Sequence, residues 1–467
     1  MKLKTYKVAI IGGGPGGYVT AIRLNQYGIN CVLIEKERIG GVCLNKGCIP
    51  TKALVKVGEL YNDIKHSEDF GISVTDLSFN YQKIYERKND VVEKLVSGVE
   101  FIFKRRKIPV INEKATQIEK DGDYYLIKTS DTEMKVEYII IATGSKPKEL
   151  PFMKFDHKFI LSSDDILNLT ELPKEMVVMG GGVIGCEFAS VFSQLGVDVQ
   201  IVEYFPNLVF NEDIEISKRL AMSMKKSKIK LHLKTSVDGY EIEGDKIKLK
   251  LSNGKEIVTE KVLMSVGREP VFDVNLKDIE FDTFKGFLNI NDNMMTSVEN
   301  IFAIGDITGK LMLAHTASKQ GLMVADILNN KINNVHKVIK NLEYKNIPRC
   351  TFTHPEIASV GYTEKEAKEI FEDVTIGKFP FSANGKALGL GETFGFVKAI
   401  ADAKSERLIG MHIIGPHATE LIAEATILIG TKASIKELEN IVYAHPTLSE
   451  SIMESIEDLE KLAIHKL

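Results

Sequence analysis

The sequence predicts an α/β fold of two similar strand–turn–helix domains followed by a C-terminal α+β domain. Three observations carry that expectation. An apolar strand, a glycine-rich turn and a helical pattern open the chain; the same run recurs at residues 176–203; and beyond residue 340 strands and helices alternate with no third glycine turn. At 467 residues the chain exceeds what one hydrophobic core organises, so several domains are expected.

Lys7–Ile11 (KVAII) is a short, β-rich apolar run. It leads directly into Gly12-Gly-Gly14-Pro-Gly-Gly17, and the pattern YVTAIRLNQYG follows, with Gly28 placed to end a helix. A second strand, Asn30–Ile34, closes on Glu35. In such a Rossmann-like unit each glycine has a task. Gly12 makes the tight turn, Gly14 lets the backbone approach a pyrophosphate, and Gly17 lets helix pack close on strand. The helix N-terminus offers free N–H groups to phosphates, and Glu35 suits ribose hydroxyls.

The arrangement recurs. Met176–Met179 leads into Gly180-x-Gly182-x-x-Gly185, the helical pattern CEFASVFSQLG, and a strand VDVQIV that ends at Glu203. In both copies the acid follows the first glycine by 23 positions. An acid at 203 repels a 2′-phosphate, so the second site favours NAD over NADP. Two dinucleotides on one chain suggest electron transfer between them, with FAD the natural partner of NAD.

Composition narrows the class further. Lys+Arg 60 against Asp+Glu 64 leaves a formal charge of −4, which argues against nucleic acid or a membrane surface as partner. No apolar run reaches the ~18 residues of a membrane span. The opening MKLKTYKVAIIGGG starts basic, but its apolar stretch breaks at the glycines and no small-residue cleavage site follows. A cytoplasmic protein is expected, and there a persistent cysteine pair is more often catalytic than structural.

Two of the five cysteines share one loop, GGVCLNKGCIPTKA, at residues 40–53. Along an ideal helix five residues rise by about 7.5 Å, whereas disulfides rarely tolerate more than roughly 7 Å between Cα atoms. Cys43 and Cys48 can therefore pair only where the segment bends, which Gly47 and Pro50 permit. A bond there would close only a short loop and stabilise little. Structural zinc needs four ligands, and no second closely spaced Cys or His pair accompanies this one, so no metal is expected. A redox pair is the favoured reading over a staple, a metal site or chance. Lys52, four residues beyond Cys48, would share its face of a helix and stabilise a thiolate.

The loop, read together with the rest of the chain, resembles the pyridine nucleotide–disulfide oxidoreductase family and, within it, the dihydrolipoamide dehydrogenase branch. GGxCLNxGCIPTKAL follows a GxGxxG/Glu unit, and Ala142–Ser145, Gly180–Glu187, Val266–Arg268, Ile304–Asp306, Met312–His315, Thr353–Gly361 and His445–Glu450 continue the match over nearly the whole chain. The resemblance implies an FAD-binding domain begun by residues 1–147, an NAD-binding domain at 148–269, completion of the first at 270–340, and a dimerisation domain at 341–467. It implies a Cys43–Cys48 redox disulfide, FAD and NAD as cofactors, a homodimer, and oxidation of dihydrolipoyl groups. These would be carried by the lipoyl domains of 2-oxoacid dehydrogenase complexes or by the glycine cleavage H protein.

Roles follow motif by motif. Thr143, Gly144 and Ser145 would touch the flavin nucleotide, and Ala115 is a further contact. Asp306, at a strand end, would reach a ribityl hydroxyl. Met312, Leu313, Ala314 and His315 would lie by the flavin ring, with the following helix aimed at its developing charge. Glu187 would pair with Lys52, and Val237 and Gly267 would approach the NAD. His445 is the type of side chain suited to proton transfer near neutrality, and Glu450 would hold one ring nitrogen. By resemblance these two serve the cysteine pair of the partner subunit.

The chain also departs from the pattern. Many relatives read His-Ala-His-Pro where Tyr443-Ala-His445-Pro stands, although the histidine before proline is kept. Cys350 replaces the usual aromatic before Thr-Phe-Thr-His-Pro and is expected to be a buried interface thiol, as Cys31 and Cys186 are expected to be buried small hydrophobes. A glycine common near NEKA (112–115) is missing, and no lipoyl module is expected ahead of the first strand. Glutathione reductase, mercuric reductase and a flavin-binding scaffold without turnover are the competing readings. Glu203 opposes the first, and the cysteine-free tail EKLAIHKL opposes the second.

Overall fold

The computed structural model describes residues 3–438 and 440–466. The chain divides into two compact units, each assembled from three stretches. The first comprises Met1–Ala53, Gln82–Lys148 and Gly267–Leu342; the second comprises Leu54–Tyr81, Glu149–Val266 and Glu343–Leu467.

In the first unit five parallel strands stand in the order Ile301–Ala303, Tyr138–Ile141, Val8–Ile11, Cys31–Ile34, Val110–Ile111. These strands read as unbroken apolar runs because both faces are covered. Val8, Ile10 and Leu33 pack on one side against Ala21 and Leu24 of the helix Pro15–Gln26 and Val324 and Leu328 of the helix Ala314–Asn333. Ala9, Ile11, Val32 and Ile34 pack on the other side with Ile118 and Ile127 of a second five-stranded sheet. The expected helix after the first glycine turn is there, and Gly28, at φ 72°, follows its C-cap Tyr27. The two helices cross closely, since a Cβ on Gly321 would lie 2.1 Å from the Thr20 hydroxyl.

The second unit repeats the plan. Its parallel sheet runs Ile160–Leu161, Lys261–Met264, Glu175–Met179, Asp198–Glu203, Lys230–Leu233. The glycine-turn strand is again central, with the acid-ended strand on one side. The helix Val183–Gln194 follows the turn, and a three-stranded antiparallel sheet packs alongside through Ile247, Leu249 and Val177.

The same unit holds an antiparallel sheet of residues 349–415, ordered Arg349–Thr351, Glu356–Gly361, Arg407–Gly415, Phe396–Asp402, Val374–Pro380. The helices Ala418–Thr431 and Glu450–Glu457 cover it through Leu421, Ile422, Ala425 and Ile452. The strands expected from RCTFTHP, FGFVKAIA and LIGMHIIG are present, the first shortened to three residues at the sheet edge. Cys350 sits on that edge strand and is half-buried rather than buried. Cys31 and Cys186 are buried as expected. Among the described residues no helix is long and apolar enough to cross a membrane.

Candidate active site

The two glycine turns are built alike down to single atoms. Gly12 has φ 108° and Gly180 φ 104°, a region L side chains rarely adopt. A Cβ on Gly12 would meet the Ala142 carbonyl oxygen at 2.2 Å, and one on Gly180 would meet that of Ser265 at 2.5 Å. Closer still, a Cβ on Gly17 would lie 1.8 Å from the Gly12 oxygen, and one on Gly185 2.0 Å from that of Gly180. Both helices begin at a glycine N-cap, Gly14 and Gly182, with no side chain capping them. Their first N–H groups are left for an anion.

Each acid does more than the sequence suggested. Glu35 Oε2 accepts the Gly13 N–H at 2.6 Å and Oε1 the Glu37 N–H at 2.8 Å. Glu203 repeats this with the Gly181 N–H and, at 2.6 Å, the Phe205 N–H. Either carboxylate thereby ties its glycine loop to the end of the neighbouring strand, leaving lone pairs for a ribose hydroxyl.

The cysteine loop is seated on the first cradle. The Gly40 N–H donates to the Gly13 oxygen at 2.8 Å, and a Cβ on Gly41 would fall 2.6 Å from Gly14 Cα. From there the helix Gly41–Lys46 carries Cys43, Gly47 breaks it at φ −148° and ψ −112°, and the helix Cys48–Lys65 starts afresh. The bend that pairing requires lies between the two sulfurs. Both are free thiols, Cys43 half-buried and Cys48 exposed. Their sulfurs are hydrogen-bonded to one another, and this contact, then burial, pushes the Cys43 thiol far up. The Lys52 charge pulls the other way. Lys52 stands one turn after Cys48 in the same helix, as its spacing predicted.

Around the return strands a polar relay forms. The Ser145 hydroxyl donates to Asp306 Oδ2 at 2.5 Å, while Arg268 Nε donates to the same hydroxyl at 2.7 Å and Arg268 Nη2 to the Ser145 carbonyl at 2.8 Å. Gln320, fully buried, accepts the Gly305 N–H at 2.7 Å and so aims the turn that carries Asp306. Sequence reasoning assigned no task to Arg268 or Gln320. The Val-Gly-Arg motif was a signal for the first; a glutamine inside an apolar helix face was a weaker one for the second.

The remaining first-unit positions fall as follows. Gly144 has φ 72° and Gly267 φ 121°, and neither would bring a Cβ within 4 Å of another group. Ala115 lies in the core beside Ile111 and Ile118. Met312 is exposed, Leu313 is the N-cap, and Ala314 and His315 form the first turn of the helix Ala314–Asn333, which thus begins inside the motif. The hydroxyls of Thr143 and Thr316 are buried without a hydrogen-bond partner. Two uncapped helix ends, open glycines and orphaned buried hydroxyls fit polyanionic, acceptor-rich ligands such as dinucleotides.

In the second unit Glu187 is buried, and its Oε1 accepts the Phe352 N–H at 2.9 Å. The His354 N–H donates to the Ser190 hydroxyl at 3.0 Å, so the Thr-Phe-Thr-His-Pro segment is fastened to the helix Val183–Gln194. The Val237 side chain is in the core of the three-stranded sheet. His445 Nδ1 is 2.9 Å from Glu450 Oε1, and the Thr447 N–H donates to Oε2 at 2.8 Å. Burial opposes the Glu450 charge, but those two partners outweigh it and hold its carboxyl below the usual range. The His445 ring is 78% exposed, leaving Nε2 on the outer side for another molecule. Among the described residues no cluster of His, Cys, Asp and Glu could hold a metal.

Paired dinucleotide cradles, a dithiol on the first and a histidine–glutamate pair define a flavoprotein disulfide reductase, and the chain belongs to the pyridine nucleotide-disulphide oxidoreductase family, whose model matches residues 6–321. The family's dimerisation domain matches residues 347–456. The dihydrolipoyl dehydrogenase of Bacillus subtilis (strain 168) is 38% identical, across 98% of this chain and 99% of its own length. That of Pisum sativum mitochondria is 38% identical over 96% and 90%, and that of Chlamydia trachomatis 36% over 97% and 96%. Among solved structures, LpdA from Mycobacterium tuberculosis shares the fold with a TM-score of 0.88 at 23% identity, covering 98% of this chain and 100% of that one. The HOCl-induced flavoprotein disulfide reductase RclA from Escherichia coli reaches 0.84 at 26%, covering 97% and 99%.

Proposed function

We propose that this chain oxidises protein-bound dihydrolipoamide to lipoamide and reduces NAD+, through a Cys43–Cys48 disulfide and FAD, in the cytoplasm. The observation that supports this most is the hydrogen-bonded thiol pair seated on the first glycine cradle. Near-full-length likeness to dihydrolipoyl dehydrogenases supports the substrate. Lipoyl domains of 2-oxoacid dehydrogenase complexes, or the glycine cleavage H protein, are the proposed partners.

FAD at the first cradle and NAD at the second would supply the path by which an electron pair leaves the thiols. Gly12, Gly14, Gly17, Glu35, Ala115, Thr143, Gly144, Ser145, Asp306 and residues 312–315 would hold the first. Gly180, Gly182, Gly185, Glu187, Glu203, Val237 and Gly267 would hold the second. His445, its Nδ1 fixed by Glu450, takes the proton of one substrate thiol at Nε2. That thiolate attacks Cys43 of the partner subunit's disulfide, and Cys48 leaves as a thiolate stabilised by Lys52. The second substrate thiol then displaces Cys43, releasing a substrate disulfide and a reduced cysteine pair. Two electrons have left the substrate, and NAD+ is their acceptor.

Cys43→Ser tests the proposal. The variant should keep its FAD and lose dihydrolipoamide-dependent NADH formation. A variant that still turns over at the parent rate would remove the dithiol from the reaction.

A further inference from the structure

Within the second unit lies a cavity of about 480 Å³ that the mechanism above does not use. The helix Ile214–Lys226 lines it together with the strands Val374–Pro380 and Phe396–Asp402 and with Lys466 of the tail. Glu215, Lys218, Arg219 and Met222 are spaced to share one face of that helix. The lining holds four cations, Lys218, Arg219, Lys378 and Lys466, against one carboxylate, in a chain whose formal charge is −4. That carboxylate is already occupied: Lys378 Nζ donates to Glu215 Oε1 at 2.6 Å, and Lys398 Nζ lies 2.9 Å from Oε2. Two of the cations are held by aromatic rings, which orient a charge without neutralising it. The Arg219 guanidinium lies over Phe394 at 4.1 Å from the ring centroid, and Lys378 Nζ over Phe396 at 4.3 Å. Arg219 Nε is buried and meets no hydrogen-bond partner among the described residues. Lys218 is exposed and forms no ion pair with a described residue.

We propose that this cavity binds a small phosphorylated organic anion of the nucleoside-diphosphate class, at a site sharing no residue with the two dinucleotide cradles. A buried N–H without an acceptor is costly, and an oxyanion is the acceptor a guanidinium edge fits best. Arg219 Nε and Lys218 take phosphate oxygens, and Lys378 and Lys466 add positive charge from the sheet and the tail. Met222, 56% exposed although apolar, and Pro380 supply surface for the apolar body of the ligand. Inorganic phosphate alone would leave most of the space open, since a water takes about 30 Å³. Sites of roughly 300–1,000 Å³ suit whole organic ligands. The site stands whether or not dihydrolipoamide is the substrate.

Calorimetric titration of ADP into the full-length FAD enzyme, saturated with NAD+ so that both cradles are filled, tests this. ADP should bind at one site per chain. Its Kd should rise about tenfold or more in Arg219→Gln and in Lys218→Glu, a factor typical of one lost charged contact. Added salt should weaken it further, because the charges lie close to solvent. Pyrophosphate should bind more weakly than ADP, and adenosine should give no heat. Both variants should keep the parent's flavin content and NAD+ affinity, which separates loss of this site from loss of the fold. Should Arg219→Gln not fold, Lys218→Glu, at an exposed position, carries the test alone. Absence of saturable ADP binding below about 1 mM, or a Kd unmoved by either substitution, overturns the proposal. So does heat that vanishes as NAD+ is raised, which would place ADP in a cradle. Tighter binding of hexaglutamate than of ADP would make the cavity a docking site for an acidic protein segment and overturn it as well.

Discussion

At Cys43 the thiol proton is held by Cys48 and by burial, whereas Cys48 stands exposed. Cys31 is pushed up to about 12 by burial alone, and Cys186 is raised by burial and by the charges of Glu203 and Glu187. Reactivity follows the thiolate and its access. Iodoacetamide at pH 8, read by peptide mass spectrometry, should therefore label Cys48 first and Cys43 after it. Cys31 and Cys186 should react only in denaturant; early labelling of Cys186 would show the second glycine helix to be far looser than its packing implies. His445→Gln should lower dihydrolipoamide turnover by about 10²–10⁴-fold, the usual worth of a general base, with flavin content unchanged. The close approach of Cys43 and Cys48 was legible from type and spacing. The pinning of each glycine loop by Glu35 and Glu203 was not, because a sequence shows which acid ends a strand but not which N–H its carboxylate meets.

Among the elements, the strand–glycine–helix units show how tightly backbone contact limits substitution. A Cβ at 1.8–2.0 Å from a carbonyl oxygen cannot be accommodated unless the helix retreats from its strand. Gly17→Ala should cost at least ~1–3 kcal/mol, the usual range for overpacking, and lose flavin absorbance on purification. Gly185→Ala should keep the yellow colour but weaken NAD binding, measured by titration calorimetry. Gly98, in the helix Tyr81–Arg106, serves as the control, since its added Cβ meets nothing within 4 Å and its φ is not left-handed. Equal damage from all three would show that backbone conformation, not the helix–strand contact, sets the cost. Helices and strands of both units were foreseeable from periodicity, as was the need for a bend between the cysteines. That the bend would come as two helices broken at Gly47 was not, because a six-residue helix leaves too little pattern to read.

At the scale of whole units, the antiparallel sheet of the second carries a polar row across all five strands. Arg349, Ser359, His412, Lys398 and Lys378 are successive partners in register. Facing them are Glu212 on Arg349, Asp213 on Lys398, Glu215 on Lys398 and Lys378, and Glu364 on Lys398. Lys398 is 0% exposed. Burial opposes the charges of Asp213 and Glu215, but the cations beside them outweigh it; at Glu364 hydrogen bonds from Lys368 and Lys398 dominate. All three carboxyls sit below their ordinary range. Their stabilisation is present above the unfolded values near ~4 and is lost as pH falls through the lower folded ones. Lys398→Met should cost about 3–5 kcal/mol in urea unfolding at pH 7, because it strands buried carboxylates. It should also flatten the loss of stability between about pH 4.5 and 2; a neutral substitution with an unchanged acid profile would show the row to be passive.

That lysine, inside the apolar run FGFVKAIA, was a visible anomaly with no visible partner. Residue type, order and spacing along the chain were sufficient for the two glycine turns and the close cysteine pair, since each is written within some thirty consecutive positions whose chemistry depends on local geometry, and the motifs taken together were sufficient for the family. Pairings between distant stretches required the folded chain: Ser145 with Asp306 and Arg268, Glu187 with Phe352, Asp213 with Lys398, Glu454 with His465. Strand register and helix packing, summed over whole units, bring such groups within hydrogen-bond reach, and no local pattern encodes that sum.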